Sequence, residues 1–286
     1  LIMNKGDMFF LLRLHFNKIH RLRSTLFRRD PLKAIQSFQK VFDAFRQNLL
    51  SQSELISLQQ KELNRIKQMV NKNEIESIYQ LADMVDIYPL YQNWKKEANW
   101  IDYGDMIINL WKLIQNNGTA LSNIQYQYKH IIVDEFQDNN YALSRIIEKI
   151  ALPENSIAEV GDDDQCIYAF RQANIHNVHQ FKDRYYNNGQ SPISLMQNYR
   201  SNQPILNLAN SVISKNHGRI RKGKLVSGTK QNQKPIIYIG KTKDQLIKLG
   251  EDISKLIDMG NSPNEIAVLL RTHTKCIQVS SYLKTL

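Results

Sequence analysis

The stretch IIVDEFQD (Ile131–Asp138) sets two adjacent carboxylates directly after a short run of branched aliphatic residues. Such a run predicts a buried strand, which places Asp134 and Glu135 at the rim of a sheet. There one carboxylate can hold Mg²⁺ while the other orients a water molecule. The simpler alternative is that these acids cap a following helix. The pair by itself does not decide between the two interpretations.

Aliphatic runs of this kind recur along the chain and are separated by segments with helical spacing. HIIV (130–133), SIAEV (156–160) and ISLM (193–196) each precede a segment whose apolar residues recur every three to four positions. This alternation predicts an α/β fold with a parallel sheet flanked by helices. Further on, IIYIG (236–240), a helix around 246–257 and EIAVLLRT (265–272) indicate the start of a second unit of the same kind.

The first hundred residues lack this alternation and show apolar residues at helical spacing throughout, as in Ile35, Phe38, Phe42 and Phe45. They predict an all-α N-terminal subdomain. The predicted domains are a helical subdomain (1–100), part of a first strand-helix domain (101–217), a basic linker (218–234) and the start of a second strand-helix domain (235–286).

Composition excludes several classes of protein. No apolar run approaches the roughly 20 residues that span a bilayer, and MFFLLRLHF is interrupted by Arg13, so we expect no membrane segment. The two cysteines, Cys166 and Cys276, lie far apart with no CxxC spacing, which favours neither a disulfide framework nor a zinc site. A reducing compartment, the cytoplasm, fits this usage.

The net charge of +11 is concentrated near the N-terminus, where the first fifty residues hold ten Lys or Arg against three Asp, a balance of +7. Such a region favours a polyanionic partner such as nucleic acid, because each neutralised phosphate releases counterions. A solvated basic helix face accounts for the charge equally well.

Two further polar clusters follow predicted strands. GDDDQCIYAFRQA (161–173) interleaves acids with Tyr168, Phe170 and Arg171, which offer flat surfaces and a cation for unpaired bases. The alternative is that these aromatic residues belong to the core. LMQNYRSNQPI (195–205) places Tyr199 and Arg200 before a helix that Pro204 can start, where they can sandwich a base and contact a phosphate. Its alternative is an ordinary helix cap by Ser201.

The order of the three clusters is more specific than any one of them. IIVDEFQD, GDDDQCIYAFR and QNYRSNQPILNLAN resemble the successive motifs of the UvrD/Rep family of superfamily 1 DNA helicases. WIDYGDMI (100–107) is similar to the element that precedes the family's acidic motif. The match is specific over 100–216 and looser through EIAVLLRT, whereas the first hundred residues match by position only. The resemblance implies RecA-like motor domains with a helical insert.

The resemblance also implies a role for each matching residue, with ATP and Mg²⁺ as cofactors. Asp134 would bind Mg²⁺, Glu135 would polarise the attacking water, and Gln165 would sense the γ-phosphate. Tyr199 would stack on adenine and Arg200 would contact the γ-phosphate. Tyr168, Phe170 and Arg171 would line the single-strand track. Two residues depart from the family pattern: Gln172 stands at a usual glycine, which puts the local turn in doubt, and Cys166 stands at a usual serine.

The phosphate-binding loop of such an enzyme, G-x-x-x-x-G-K-[ST], does not precede the acidic motif in this sequence. GRIRKGKL (218–225) ends in Leu225 instead of a Mg²⁺-binding hydroxyl residue, and PIIYIGKT (235–242) has Pro235 at the first glycine. We interpret both as chance matches. The sequence therefore looks like an interior part of a helicase that is inactive alone and needs the missing segments in cis.

The leading hypothesis is an ATP-dependent DNA helicase that translocates 3′ to 5′, as the family does, on single-stranded DNA and duplex junctions. The alternatives are a non-catalytic module that binds single-stranded nucleic acid, and part of a helicase fused to a nuclease.

Overall fold

The computed structural model describes residues 1–19, 21–152, 157–169, 172–185, 192–217, 219–220 and 223–285. The chain divides into two compact units, one formed by 1–193 with 218–221 and the other by 194–217 with 222–286. Residues 194–217, which the sequence grouped with the first strand-helix domain, thus cluster with the segments that follow them. The domain bounds themselves stay a prediction.

In the first unit, helices begin where the sequence supplies side-chain caps. Asn4 with Asp7 and Ser51 with Glu54 form capping boxes, in which each side chain bonds the other residue's backbone N–H. The elements in chain order are β1 (Ile2–Met3), α1 (Lys5–His15), α2 (Thr25–Arg29), α3 (Pro31–Gln47), α4 (Gln52–Arg65), α5 (Lys72–Glu97), β2 (Ile101–Asp102), α6 (Tyr103–Asn116), α7 (Gly118–Gln127), β3 (Ile131–Val133), α8 (Tyr141–Ala151), β4 (Ile157–Glu159) and α9 (Ile175–Tyr185).

The main hydrophobic core lies among the helices of the first hundred residues. Phe38 and Phe42 of α3 are fully buried, and their ring centroids lie 5.8 Å apart. Tyr91 of α5 stacks on Phe42 at 5.3 Å. The helices that apolar spacing predicted in this region are therefore present, and α3 packs the face that the spacing identified.

A buried cluster of charges joins the ends of α3 and α5 to the start of α6. The Asp102 carboxylate accepts from Arg46 at 2.8 Å, from Lys95 at 3.0 Å and from the Tyr91 hydroxyl at 2.8 Å. Lys95 also contacts both carboxylate oxygens of Asp105 at 2.6 Å. Burial alone would raise the pKa of Asp102, but the charges of Arg46 and Lys95 hold it below its ordinary value. The motif WIDYGDMI is thus fixed to the helical region.

The strands of the described residues form three separate two-stranded parallel sheets: β1 with β2, β3 with β4, and β5 (Gln197–Asn198) with β6 (Val226–Ser227). In the second sheet Ile131 pairs with Ile157 and Val133 with Glu159, which confirms the strands expected in HIIV and SIAEV. The expected burial of the first of them was wrong, since Ile132 is 75% exposed. The described residues do not form the single continuous parallel sheet that the sequence predicted. The strand expected at 193–196 is displaced to β5, which begins at Gln197.

The second unit contains α10 (Gln203–Ile213), α11 (Thr242–Asp258) and α12 (His273–Leu283) besides β5 and β6. The strands expected at 236–240 and 265–272 were wrong: both segments are described, and neither pairs with a strand. A strand requires a neighbour for its backbone and a surface for its apolar face, yet Ile239 is 96% and Leu269 is 91% exposed.

Across the described helices, none combines the length and the apolar character needed to cross a membrane. Cys166 and Cys276 are both free thiols.

Candidate active site at the ends of the parallel strands

The β3–β4 pair places the first two polar clusters side by side. Beyond the last paired residues, the Val160 N–H donates to the Val133 carbonyl at 2.8 Å, and the Phe136 N–H donates to the Val160 carbonyl at 3.0 Å. The two chains therefore stay in register past the strand ends. Because parallel strands end at the same edge of a sheet, IIVDEFQD and GDDDQ meet there.

Asp134 and Glu135 are both exposed at this edge. The Asp134 carboxylate accepts the Glu135 N–H at 2.9 Å, and Glu135 has left-handed backbone angles of φ 49° and ψ 44°. That conformation costs a residue with a side chain about 1–2 kcal/mol, and such strain concentrates at functional sites. Asp134 offers the hard carboxylate oxygens that Mg²⁺ prefers, so the residues present fit the implied ion.

Gln137 connects Glu135 to the second cluster. Its side chain is buried, its Nε2 donates to Glu135 Oε2 at 2.6 Å, and its Oε1 accepts the Asp162 N–H at 3.0 Å. Gln137 was not among the site residues predicted from the sequence, because its partner at Asp162 lies 25 positions away. The sequence offered one signal for this role, namely that the Gln137 amide follows the Glu135 carboxylate by two residues at the end of a strand.

The charges of the acidic loop after β4 are compensated within the loop and by residues 219–220. Asp162 caps the short 3₁₀ turn Asp163–Gln165 by accepting from the Asp164 N–H at 3.1 Å. Its other oxygen accepts from the Gln165 side-chain amide at 2.8 Å. Arg219 forms a two-bonded ion pair with Asp164, both bonds at 2.6 Å, and the Ile220 N–H donates to Asp163 at 2.8 Å. The compensation that three adjacent acids require is therefore supplied by the helical turn and by Arg219.

The predicted single-strand track is described in part. Tyr168 is half-buried, whereas Phe170 and Arg171 lie outside the described residues. A turn forms at Gln172 although glutamine replaces the usual glycine there. Gln172 has φ 64°, and its N–H donates to the Ala169 carbonyl at 2.9 Å. A residue with a side chain thus adopts the backbone conformation that favours glycine.

Tyr199 and Arg200 follow β5 in the second unit. The Asn198 side chain accepts the N–H groups of Arg200 and Ser201, at 3.0 and 2.7 Å, which forms the turn. Tyr199 is 76% exposed. The helix that follows has Pro204 in its first turn, as expected, but its cap is Asn202, and the alternative of a Ser201 cap was wrong.

The predicted basic linker contributes a support for Tyr199. Strand β6 lies within it, and the Gly228 N–H donates to the Asn198 carbonyl at 2.7 Å. A β-carbon on Gly228 would lie 2.8 Å from the Tyr199 ring, so the tyrosine packs where only glycine leaves room. The Ser227 hydroxyl donates to the Ser201 carbonyl at 2.9 Å. This segment is therefore partly built into the second unit.

The predicted site residues thus fall into two groups. Glu135 and Gln165 belong to the first unit and are joined through Gln137 and Asp162, with Asp134 beside them. Tyr199 and Arg200 belong to the second unit. The roles assigned to these residues stay predictions.

Comparison with known proteins identifies two matching domain families. Residues 8–186 match the UvrD/REP helicase N-terminal domain, and residues 193–286 match the UvrD-like helicase C-terminal domain. DNA helicase II of Haemophilus influenzae is 30% identical over 214 residues, which are 74% of this chain and 29% of that protein. ATP-dependent DNA helicase PcrA of Leuconostoc citreum is 32% identical over 202 residues, 70% of this chain and 27% of that protein.

A eukaryotic relative gives a similar result. ATP-dependent DNA helicase srs2 of Schizosaccharomyces pombe is 34% identical over 194 residues, 66% of this chain and 21% of that protein. The chain spans about a quarter of the length of the curated relatives it matches.

Proposed function

This chain belongs to the UvrD/REP helicase family, whose N-terminal domain matches more than half of its residues, and from that premise we propose that it carries ATP-hydrolysing and DNA-contacting residues of an ATP-dependent DNA helicase. Membership implies a RecA-like fold. The observation that supports the proposal most directly is the hydrogen-bond path from Glu135 through Gln137 and Asp162 to Gln165.

In this proposal the strand ends organise hydrolysis of the γ-phosphate. Asp134 would hold Mg²⁺, and that ion would neutralise charge on the phosphate oxygens. Glu135 orients the attacking water and accepts its proton. Gln165 donates its amide toward the γ-phosphate. Each of these groups follows β3 or β4, so one rigid edge positions all three.

Tyr199 and Arg200 are the residues that we assign to the remaining nucleotide contacts. Tyr199, held by the Asn198 turn and backed by Gly228, presents an exposed ring that stacks on adenine. Arg200 follows Tyr199 in the same turn, and we assign it to the γ-phosphate because its planar, permanently charged group suits a phosphate. Tyr168, Phe170 and Arg171 contact single-stranded DNA near duplex junctions, and translocation runs 3′ to 5′. The protein acts with DNA in the cytoplasm.

Two assays test this function. The first measures ATP hydrolysis by this polypeptide alone, which we propose to be negligible because no G-x-x-x-x-G-K-[ST] loop precedes Asp134. The second measures hydrolysis by the full-length product of its gene, with and without oligo-dT. We expect DNA-stimulated hydrolysis that Glu135→Gln lowers by about 100-fold or more.

The matched control is Glu97→Gln, which neutralises an exposed acid at the end of α5 and leaves hydrolysis unchanged. Hydrolysis by this polypeptide alone, lost in Glu135→Gln, would contradict its inactivity. A full-length product without any ATPase activity would refute the helicase function. Unwinding of partial duplexes with 3′ or 5′ tails tests the direction.

The absence of the loop from this polypeptide also favours a second candidate, a module that binds single strands without hydrolysis. This candidate is supported if the chain binds oligo-dT in a salt-dependent way, if Phe170→Ala weakens that binding, and if ATP does not change it. Tyr126→Ala removes an aromatic ring that is 78% exposed outside all the clusters and serves as the control.

A further inference from the structure

Gln137 occupies a position where the side chain must donate one hydrogen bond and accept another. The Glu135 carboxylate can only accept a hydrogen bond and the Asp162 N–H can only donate one, so the bridging group must donate on one side and accept on the other. Gln137 does both, at 2.6 and 3.0 Å, with 2% of its surface exposed. A buried side chain held at both ends has little freedom to move.

The surroundings of Gln137 hold this amide in place. A β-carbon on Gly161 would lie 2.7 Å from Gln137 Oε1, so the loop backbone packs directly on the amide. The Gln137 carbonyl also accepts from the Cys166 thiol at 3.6 Å. The acidic loop is thus attached to Gln137 through its backbone and its side chain.

We propose that Gln137 is a positioning residue for hydrolysis, fixing the Glu135 carboxylate relative to the acidic loop that carries Gln165. This inference rests on the proposed function. The Glu135 side chain is exposed, so packing holds its carboxylate only weakly and the hydrogen bond from Gln137 matters more. The path from Glu135 through Gln137 and Asp162 to Gln165 sets the spacing between the group that activates water and the group that contacts the γ-phosphate.

The discriminating substitution is Gln137→Glu, which keeps the size of the side chain and the acceptor for Asp162. It replaces the donor to Glu135 with a carboxylate oxygen, and two carboxylates at this distance repel unless they share a proton. A shared proton restores a donor to Glu135. The defect should therefore be large at high pH and shrink as the pH falls, which a general loss of packing would not produce.

The chain offers a matched control in Gln59, a second buried glutamine whose amide donates to a carboxylate. Its Nε2 bonds the Ala82 carbonyl at 2.8 Å and Asp86 at 2.7 Å, in the helical region. Gln59→Glu introduces the same buried charge beside an acid and contacts none of the site residues. It controls for stability, which thermal unfolding measures for both variants.

The experiment uses the full-length gene product and measures kcat and KM for ATP and the Kd for oligo-dT between about pH 6 and pH 8.5. We expect Gln137→Glu to lower kcat by about 10- to 100-fold at the upper pH, as a misplaced catalytic group does, with KM and Kd within about twofold of the wild type. The deficit should narrow toward the lower pH. Gln59→Glu should retain the wild-type kcat throughout.

Two results overturn the inference while the function stands: an active wild type with unchanged kcat in Gln137→Glu, or a deficit that is independent of pH. An inactive wild-type product refutes the proposed function, and the positioning role with it. The wild-type assay therefore separates the two failures.

Discussion

Gly104 packs directly against the guanidinium group of Arg46, so that a β-carbon on Gly104 would lie 2.8 Å from Arg46 Cζ and 2.9 Å from Cδ. Arg46 is buried and bonded to Asp102, and it cannot move without breaking that ion pair. We expect Gly104→Ala to lower the free energy of unfolding by about 1–3 kcal/mol through overpacking. Urea unfolding followed by circular dichroism measures it.

The same substitution at Gly118 is the control. Gly118 is the first residue of α7 and has open space around the position of a β-carbon. Gly118→Ala should leave the free energy of unfolding unchanged or raise it by up to about 1 kcal/mol, since alanine favours the helix. Equal effects of the two substitutions would argue against a close contact at Gly104.

Gln172→Gly should stabilise the protein, because Gln172 holds a φ of 64° that glycine adopts without strain. The expected gain is about 0.5–1 kcal/mol, the relief of strain less the extra entropy of glycine in the unfolded chain. Gln180→Gly makes the same exchange on the exposed side of α9, where it should cost about 0.5–1 kcal/mol. Denaturant unfolding of both variants should show opposite signs.

Asp102→Asn should lower the free energy of unfolding at neutral pH by about 3–5 kcal/mol, because it leaves Arg46 and Lys95 buried with less compensating charge. Asp258→Asn, at the exposed end of α11, should change it by less than about 0.5 kcal/mol. Urea titrations of both variants measure these changes.

The pH dependence of this effect has a definite sign. The pKa of Asp102 is held below its ordinary value by Arg46 and Lys95, against the effect of burial. Its contribution is therefore present above the ordinary carboxyl range and lost as the pH falls through the lowered pKa. The gap between wild type and Asp102→Asn should narrow below about pH 4. A gap that widens in acid would contradict the assignment.

Glu159→Gln should remove a loss of stability that accumulates as the pH rises from the ordinary carboxyl pKa to about 9. Burial, and then the neighbouring Glu148 carboxylate, raise the pKa of Glu159 to about 9 against the opposing charge of Arg184. Among the described residues, its Oε1 is buried without a hydrogen-bond partner. The folded state keeps the proton that the unfolded chain releases, so stability falls between the ordinary carboxyl pKa and about 9.

The expected loss in wild type between about pH 5 and 8.5 is about 1 kcal/mol, allowing for the screening of a partly exposed group. Glu159→Gln should show a flatter profile over the same range. Guanidinium unfolding at several pH values measures it, and parallel profiles for the two proteins would exclude Glu159 as the cause.

Features that depend on a few adjacent residues could be predicted from the sequence. The apolar spacing of α3 and the aliphatic runs of β3 and β4 determine local structure. Asp134 and Glu135 follow β3 directly, so their position at the edge of the sheet could be predicted as well. Three adjacent acids require compensation on charge grounds alone, but the sequence does not identify Arg219, 55 positions from Asp164, as its source.

Features that depend on distant partners could not be predicted. IIYIG has the composition of a strand, but composition does not supply the neighbouring backbone that a strand needs. Gln137 appears in sequence as a polar residue after two acids, and its role depends on the Asp162 N–H that it meets only in the fold. Such partners are a property of topology, which a single sequence does not state.

The buried charges of Arg46, Lys95, Asp102 and Asp105 have a consequence for cooperativity. Each ion is tolerable away from water only when its partners are in place, so partly assembled arrangements are disfavoured. Separating the helical region from the segment that begins at Ile101 would leave two cations with their main acids removed. The helices of the first hundred residues and the start of α6 should therefore unfold in one transition, and a cut at the predicted boundary after residue 100 would divide a single cooperative unit.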